Sequence, residues 1–235
     1  MTKLVRETLP DIAARELIAF VRTQRLRPGD PLPSEAQLAE RFGVSRPVIR
    51  EALQILHGRG LIDARRHRSA TVSRPSGEQI AAFVEHHLLF DPKGALTLLE
   101  FRRGIEMESA KLAAERADAR SRARLRRIVG EMAAAVDDTA TYVDADIALH
   151  QAIATASENP LIATFLASAR NATRETIELG LRSRMSDEEL RRVQSAHELL
   201  VDAIVQGDAE AAVLAMAGHF DDALRAVRRM FDANA

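Results

Sequence analysis

Four side chains in the second half of the chain have the types and the spacing of a metal site. Asp146 and His150 are four residues apart, so they share one face of a helix. His197 and His219 lie 10 and 11 residues on either side of a Gly-Asp break. In an antiparallel helix pair, both rings would stand about 15 Å from the turn. One carboxylate and three imidazoles suit Zn²⁺, with Ni²⁺, Mn²⁺ or Fe²⁺ as alternatives, and leave positions open for a ligand.

A second group of side chains has the chemistry to read nucleic acid. Arg46 and Arg50 are also four residues apart, so both can point from one helix face into the same groove. The planar guanidinium fork of arginine matches the O6 and N7 atoms of guanine. Ser45 precedes this helix, and its hydroxyl together with the first backbone N–H groups can hold a phosphate.

The distribution of charge divides the chain into two parts. Residues 1–75 contain 14 Lys and Arg against 8 Asp and Glu, whereas residues 76–235 contain 19 against 26. The overall charge of −1 therefore hides a basic segment of +6 followed by an acidic one of −7. Such asymmetry predicts two domains, 1–75 and 76–235, and makes the basic one the candidate for binding a polyanion.

Composition excludes several classes of site and location. The chain of 235 residues has no cysteine, which excludes a disulfide framework, a thiolate metal site and a cysteine nucleophile. No run of about 18 apolar residues is present, so no membrane span is expected. The first residues lack the apolar core of a secretory signal, and we expect a cytoplasmic protein.

The basic segment has the pattern of a winged helix-turn-helix. Apolar periodicity and breaks predict three helices and two short strands: Asp11–Gln24, Glu35–Arg41, Arg46–His57, and strands around Gly60–Ala64 and Ala70–Val72. Ser34 and Gln37 form a capping box before the second helix, and Ser45 precedes the third. The basic run Arg66-His67-Arg68 would be the tip of a β-hairpin wing beside the recognition helix.

The acidic remainder has helical period almost throughout. Helices are expected near 78–90, 95–117, 121–137, 142–157, 161–182, 187–206 and 209–231. The predicted fold class is therefore mainly α: a winged helix-turn-helix with a small β-hairpin wing, followed by an all-α bundle of six or seven helices.

The first domain resembles the winged helix of the GntR family. The resemblance is carried by Leu32-Pro33-Ser34-Glu35, Gly43-Val44-Ser45-Arg46, Val48-Ile49-Arg50-Glu51-Ala52-Leu53 and Gly60-Leu61-Ile62, and it covers about residues 8–73. It implies that Arg46 and Arg50 carry base recognition and that the wing tip enters the minor groove. The complete DNA-contact set that we predict is Ser34, Ser45, Arg46, Val48, Arg50, Arg66, His67 and Arg68.

The second domain resembles the FCD ligand-binding bundle of the FadR subfamily over about residues 78–230. The matching segments are Glu100-Phe101-Arg102-Arg103-Gly104-Ile105-Glu106, Ala145 to Ile153, Ala196-His197 and Gly218-His219-Phe220. The resemblance implies that Asp146, His150, His197 and His219 bind a divalent metal. It also implies that Arg102 meets the carboxylate of a small organic acid.

Helix register adds two residues to the predicted effector site. Asn171 and Arg174 stand about 15 Å or slightly more past the break at Pro160, level with His150 before it. They are therefore predicted to line the same cavity, with a solvent-exposed position as the alternative.

These features predict a metabolite-responsive transcriptional regulator, most simply a repressor. We expect a homodimer on a pseudo-palindromic operator, because two matching half-sites need two recognition helices. A small carboxylate effector at the metal would alter operator affinity. A metal-dependent hydrolase is one alternative, but no general base lies in a motif and the basic winged helix would have no role. A sequence-blind DNA-packing protein is the other alternative.

Overall fold

A computed structural model of the chain describes residues 7–63, 70–91, 93–182 and 187–233. The chain divides into two compact units, Met1–Gln79 and Ile80–Ala235. The division thus falls after residue 79, whereas the change of composition suggested a boundary after residue 75. Each unit has a hydrophobic core of its own.

The first unit contains three helices and a two-stranded antiparallel sheet. Its elements are α1 (Leu9–Thr23), α2 (Glu35–Phe42), α3 (Arg46–Gly58), β1 (Ile62–Asp63) and β2 (Thr71–Val72). In the sheet, Ile62 pairs with Val72 and Asp63 pairs with Thr71. These elements have the order and type of a winged helix-turn-helix, as the sequence predicts.

Local signals in the sequence set the ends of α2 and α3. The Ser34 hydroxyl accepts a hydrogen bond from the Gln37 backbone N–H, and Oε1 of Gln37 accepts one from the Ser34 backbone N–H. Gly43 ends α2 with a φ of +65°, a left-handed conformation that glycine adopts without steric cost. Ser45 is the residue before α3, but its hydroxyl makes no capping hydrogen bond.

The core of the first unit is apolar and joins all three helices. Leu17 of α1, Leu38 of α2 and Ile49 of α3 are completely buried within it. Leu32 and Ile62 close this core on the side of the sheet. Burial of these residues fixes the angle between α2 and α3, and it leaves the opposite, arginine-bearing face of α3 exposed.

The second unit is all-helical over its described residues. Its elements are α4 (Glu78–Phe90), α5 (Gly94–Arg116), α6 (Ala119–Ala134), α7 (Thr139–Ala156), α8 (Pro160–Ser168), α9 (Arg170–Arg182), α10 (Asp187–Gln206) and α11 (Ala209–Ala233). The largest core lies among α5, α6, α7, α10 and α11. Between α10 and α11, Gly207 turns the chain with a φ of +79° and Asp208 accepts from the Ala211 amide.

One predicted helix differs from the structure. The sequence predicts a continuous helix over 161–182, but the chain forms α8 and α9, which meet at Ala169. The ψ of Ala169 is 8°, well away from the helical value of about −42°. Just before it, the Ser168 hydroxyl donates to the Thr164 carbonyl oxygen at 2.6 Å. Such back-bonding by serine bends helices, which explains the break.

The fold class predicted from the sequence is confirmed: a mainly α chain with a small antiparallel wing ahead of a helical bundle. None of the helices in the described ranges has the length and apolar character needed to cross a membrane.

Two adjacent leucines of α10 test the position of the core. Leu200 is 0% exposed and Leu199 is 66% exposed. Leu200→Ala should lower the free energy of unfolding of the helical unit by about 2–5 kcal/mol, because it leaves a cavity in the core. Leu199→Ala is the control and should change it by less than about 0.5 kcal/mol. Urea denaturation followed by circular dichroism measures both; equal losses would contradict the assigned helix face.

Candidate functional site

The structure brings together the four side chains whose spacing suggested a metal site. Asp146 and His150 project from α7, His197 from α10 and His219 from α11. One potential ligand atom from each of them lies within 4.8 Å of all the others. Ligand atoms that share one ion through bonds of about 2.1 Å lie within about 4 Å of each other. Small side-chain rotations would therefore close this cluster on a cation.

The hydrogen bonding inside the cluster fits a cation. Nε2 of His197 lies 3.0 Å from Oδ1 of Asp146. Among the described residues, neither ring nitrogen of this buried histidine has a hydrogen-bond partner of proper geometry. Nε2 of His150 is also buried and without a partner there. Buried polar atoms are rarely left unpaired, and close but misaligned donor and acceptor atoms are expected where both face a shared ion.

Glu106 of α5 completes the support of this cluster. Its Oε2 contacts Nδ1 of His150, and both side chains are buried. A carboxylate on one ring nitrogen orients the ring and leaves the other nitrogen, here Nε2, for a metal. The sequence alone indicates no role for Glu106, because His150 lies 44 residues away in the chain.

In the absence of a cation, the electrostatics of the cluster favour the ionised form of Asp146 and the neutral form of His219, as metal ligands require, but favour the protonated form of His150. Burial opposes ionisation of Asp146, but contact with His197 and the charges of the neighbouring rings outweigh it, so its pKa is far below the usual value. Burial, reinforced by the other rings, also holds the pKa of His219 well below that of an ordinary histidine. Burial would lower the pKa of His150, but Glu106 raises it above the ordinary value.

Arg102 lies where the family resemblance requires it, beside the cluster. Its Nε donates to Oε1 of Glu106 at 2.7 Å, and both side chains are buried. The guanidinium carbon stands 5.3 Å from the centre of the Phe220 ring, a cation–π distance. Glu106 therefore connects Arg102 to His150, so an arginine and a histidine of the cluster are held by one carboxylate.

A cavity of about 290 Å³ opens beside the cluster and is lined by residues of α5, α7, α9, α10 and α11. Asp146, His219 and Arg102 form part of its wall. Tyr142, the one tyrosine of the chain, also lines it, and the hydroxyl has no hydrogen-bond partner among the described residues. Burial raises the pKa of Tyr142, so the hydroxyl remains a donor. A cavity into which polar groups converge is typical of small-molecule sites.

The other two predicted effector residues lie elsewhere. Asn171 is exposed and is not part of the cavity wall. Arg174 also lies outside the wall, and its guanidinium contacts the carboxylate of Asp144 on the surface. α8 and α9 meet at Ala169, whereas the prediction assumed one helix, and α9 contributes Thr176 and Ile177 to the wall instead.

The predicted base-reading arginines lie on the exposed face of α3. Arg46 is its first residue and is exposed. Arg50, one turn later, donates from Nε at 3.2 Å and from Nη2 at 2.9 Å to the two carboxylate oxygens of Glu35 in α2. This fork-to-fork pair fixes the plane of the Arg50 guanidinium and lowers the pKa of Glu35.

The remaining predicted DNA contacts have different surroundings. Ser45 is exposed at the start of α3. Ser34 is exposed too, but its hydroxyl is engaged in the capping box of α2. Val48 is half-buried against the core of its unit. The predicted wing tip, Arg66-His67-Arg68, lies outside the described residues.

Two family descriptions match the chain. Residues 11–72 match "Bacterial regulatory proteins, gntR family", and residues 97–222 match the FCD domain. The first range contains α2 and α3 with Arg46 and Arg50, whereas the second contains the four clustered side chains and Arg102.

Curated relatives are similar over most of the chain. The Galactonate operon transcriptional repressor of Escherichia coli (strain K12) is 33% identical over 190 residues, which are 79% of this chain and 82% of that protein. The HTH-type transcriptional regulator LutR of Bacillus subtilis (strain 168) is 31% identical over 212 residues, or 87% and 96% of the two chains. A solved structure, Streptococcus agalactiae GntR, aligns with a TM-score of 0.67 at 23% identity, covering 92% and 99%, and supports the fold alone.

The carboxylate that orients His150 gives a direct test of the cluster. Glu106→Gln keeps the size of the side chain but removes the negative charge that faces Nδ1 of His150. Affinity for Zn²⁺ should fall by about 10- to 100-fold, as for other carboxylates that support a ligand histidine. Competition with a chelating dye measures this affinity. Glu108→Gln removes an exposed charge from the same helix and is the control; equal affinity of the two variants would exclude a role for Glu106.

Proposed function

Because this chain belongs to the gntR family of bacterial regulatory proteins and carries an FCD domain, we propose that it is a metabolite-responsive repressor. Its helical domain binds a small organic acid at a divalent metal ion, and this binding changes the affinity of the winged helix for operator DNA. The observation that carries the proposal is the buried Asp–His cluster, with ligand atoms within 4.8 Å, on the wall of a cavity that also presents Arg102.

The chemistry of the cavity favours a carboxylate. Asp146, His150, His197 and His219 would hold the cation, with Zn²⁺ preferred over Ni²⁺, Mn²⁺ and Fe²⁺ for a set of three imidazoles and one carboxylate. The cation supplies a Lewis-acidic point to which an acid can coordinate. Arg102 presents a guanidinium fork for the same acid, and Tyr142 presents a hydroxyl donor.

A sugar acid is the first effector to examine. The relative from Escherichia coli is named for a galactonate operon, and this chain shares 33% of its residues over the aligned region. Galactonate has one carboxylate for the cation and Arg102, and several hydroxyl groups that suit a partly polar wall. Asn171 and Arg174 would join the effector contacts only if α9 moved on binding, since neither lies on the cavity wall.

The winged helix would read the operator through α3. Arg46 is free to point into the major groove from the first turn, and Ser45 together with the helix N-terminus would contact a phosphate. Glu35 would orient Arg50, leaving its second terminal nitrogen for a base. Ser34, Val48 and the wing residues Arg66, His67 and Arg68 complete the proposed interface.

A homodimer is proposed because operator half-sites are read in pairs. The second unit offers a surface for it: Phe83, Leu89 and Phe90 of α4 are 72%, 76% and 73% exposed. Exposed apolar groups in such a cluster are typical of protein–protein contacts. Two copies of this face would give an isologous interface with two-fold symmetry.

The acid must bind the two states of the regulator with different affinity, since only differential binding shifts an equilibrium. Repression that is released by the acid means that the acid prefers the state with lower operator affinity. Linkage then requires operator DNA to weaken binding of the acid by the same factor.

The family and the curated relatives are transcriptional regulators, so the chain is not an enzyme and the hydrolase alternative has no support. Competition between a specific site and random DNA distinguishes operator recognition from DNA binding without sequence preference. A site selected from random oligonucleotides should bind at least about 10³-fold more tightly than random DNA of equal length. Equal affinity for both would end the claim of operator recognition.

Removal of one ligand tests the coupling between metal, acid and DNA. His197→Ala should lower the metal content measured by elemental analysis and abolish the release of selected DNA by galactonate. Binding of that DNA without acid should persist, because α3 lies in the other compact unit. Asp202→Ala changes an exposed residue of the same helix and is the control. Full metal occupancy in His197→Ala would show that this histidine is not a ligand.

Arg46 gives the corresponding test for DNA reading. Arg46→Ala should reduce the preference for the selected site over random DNA by at least about tenfold, because a bidentate base contact is lost. Arg59 is an exposed arginine just beyond the opposite end of α3, and Arg59→Ala should keep the preference. Fluorescence anisotropy with the selected site and with random DNA measures this preference. An unchanged preference in Arg46→Ala would refute base reading by this residue.

A further inference from the structure

We propose that the effector carries two anionic groups and that Arg192 recognises the second one, at the part of the cavity away from the Asp–His cluster. The inference rests on the proposed function, because it takes the first anionic group to lie at the metal and Arg102. It narrows the class of effector to acids with a second anionic group, a dicarboxylate or a phosphorylated acid, so that the monoanion galactonate is the weaker-binding probe of the same site. It also names a residue that selects for the second group.

The cavity continues from the cluster along the hairpin of α10 and α11. Arg192 precedes His197 by five residues and lines the cavity. At 1.5 Å per residue this is about 7–8 Å along the helix axis. Arg225 follows His219 by six residues, about 9 Å along α11, and also lines the cavity. A small acid bound at the cluster therefore extends toward a region where arginines come from both helices.

The pairing of these arginines singles out Arg192. Arg225 contacts the carboxylate of Asp222, and Arg229 pairs with Glu189 at 3.3 Å. Arg192, by contrast, makes no ion pair or hydrogen bond with any residue that the structure describes. It is therefore the cavity-wall arginine whose charge is available to an incoming anion.

The balance of charge among the described residues favours a ligand with more than one negative group. Among the residues that the structure describes, four arginines line the cavity, and four carboxylates accompany them. The carboxylates are Asp146, Glu189 and Asp222 on the wall, together with Glu106 behind Arg102. These eight groups cancel, so a divalent cation leaves two positive charges in the site. A monocarboxylate neutralises one of them, whereas a dianion neutralises both.

The positions of the two excess charges match the two ends of such a ligand. At the end near the Asp–His cluster, the double positive charge of a divalent cation exceeds the single negative charge of Asp146. At the outer end, Arg192 has no carboxylate partner within the described part of the chain. A volume of about 290 Å³ is near the lower limit for small-molecule sites, so the two anionic groups must belong to a compact acid.

Matched pairs of acids test the inference on the Zn²⁺-loaded full-length protein by titration calorimetry. The pairs are galactarate against galactonate, succinate against butyrate, and 6-phosphogluconate against gluconate. The member with two anionic groups should bind at least about tenfold more tightly at low salt. The first two pairs examine a second carboxylate and the third a phosphate. The difference should narrow as the ionic strength rises, because Arg192 is exposed.

Two neighbouring arginines of α10 provide the variant and its control. Arg192→Gln should remove the tenfold advantage of the dianion while leaving the Kd of the matched monoanion unchanged. Arg191 is exposed and does not line the cavity, so Arg191→Gln should behave like the unaltered protein. Elemental analysis should give the same Zn²⁺ content for both variants, which shows that the cluster is intact.

The outcomes separate this inference from the proposed function. Binding of monoanions and dianions with equal affinity, or an equal loss for both in Arg192→Gln, would overturn the inference and leave the effector site standing. Failure of every acid to bind the metal-loaded protein would overturn both. We expect Arg192→Gln to weaken binding of the dianion alone and Arg191→Gln to leave the Kd of both acids unchanged.

Discussion

The helical unit depends on keeping its buried charges neutralised. Arg102, Glu106, Asp146, His150 and His197 are each at most 4% exposed. A charge transferred from water into a protein interior without a partner costs several kcal/mol. Here Arg102 and His150 share one carboxylate, and Asp146 lies against His197. Because these groups come from α5, α7 and α10, movement of one helix against the others leaves a charge without its partner, so the helices must shift together or adopt a distinct second arrangement.

The two units use charge in opposite ways. Among the described residues, every buried polar or charged side chain belongs to the second unit, and the core of the first is apolar. The first unit therefore keeps its excess of arginine at the surface, where it is available to a phosphate backbone. The second unit buries several of its charged side chains. There the electrostatic interactions are stronger than in water, and each buried charge needs a partner of opposite sign. The near-zero charge of the whole chain conceals this contrast, whereas the separate counts for its two parts reveal it.

Sequence analysis predicted those features that depend on local signals or on regular helix geometry. The capping box at Ser34, the family motifs and the meeting of His197 with His219 across a short turn are of this kind, and the family and fold class are confirmed. The role of Glu106 depends on contacts between distant segments, which no single-sequence pattern specifies.

Helix register is a weaker guide beyond a break in a helix. The placement of Asn171 and Arg174 beside the cavity assumed one helix over 161–182, whereas α8 and α9 meet at Ala169 and α9 lines the wall with Thr176 and Ile177. The pairing of Arg50 with Glu35 also went unanticipated, although both lie in the recognised motif. A motif identifies residues that act together, but only the packed helices show which of them touch.

The order in which the four clustered residues occur along the chain has a consequence for biosynthesis. The winged unit is complete by Gln79, whereas the last member of the cluster, His219, belongs to the final helix. Domains fold largely from the N-terminus during translation, at about 5–20 residues per second. A nascent chain can thus present a folded winged helix several seconds before its Asp–His cluster can assemble. Newly made molecules then pass through an immature stage, in which the winged helix is folded and the helical bundle is not.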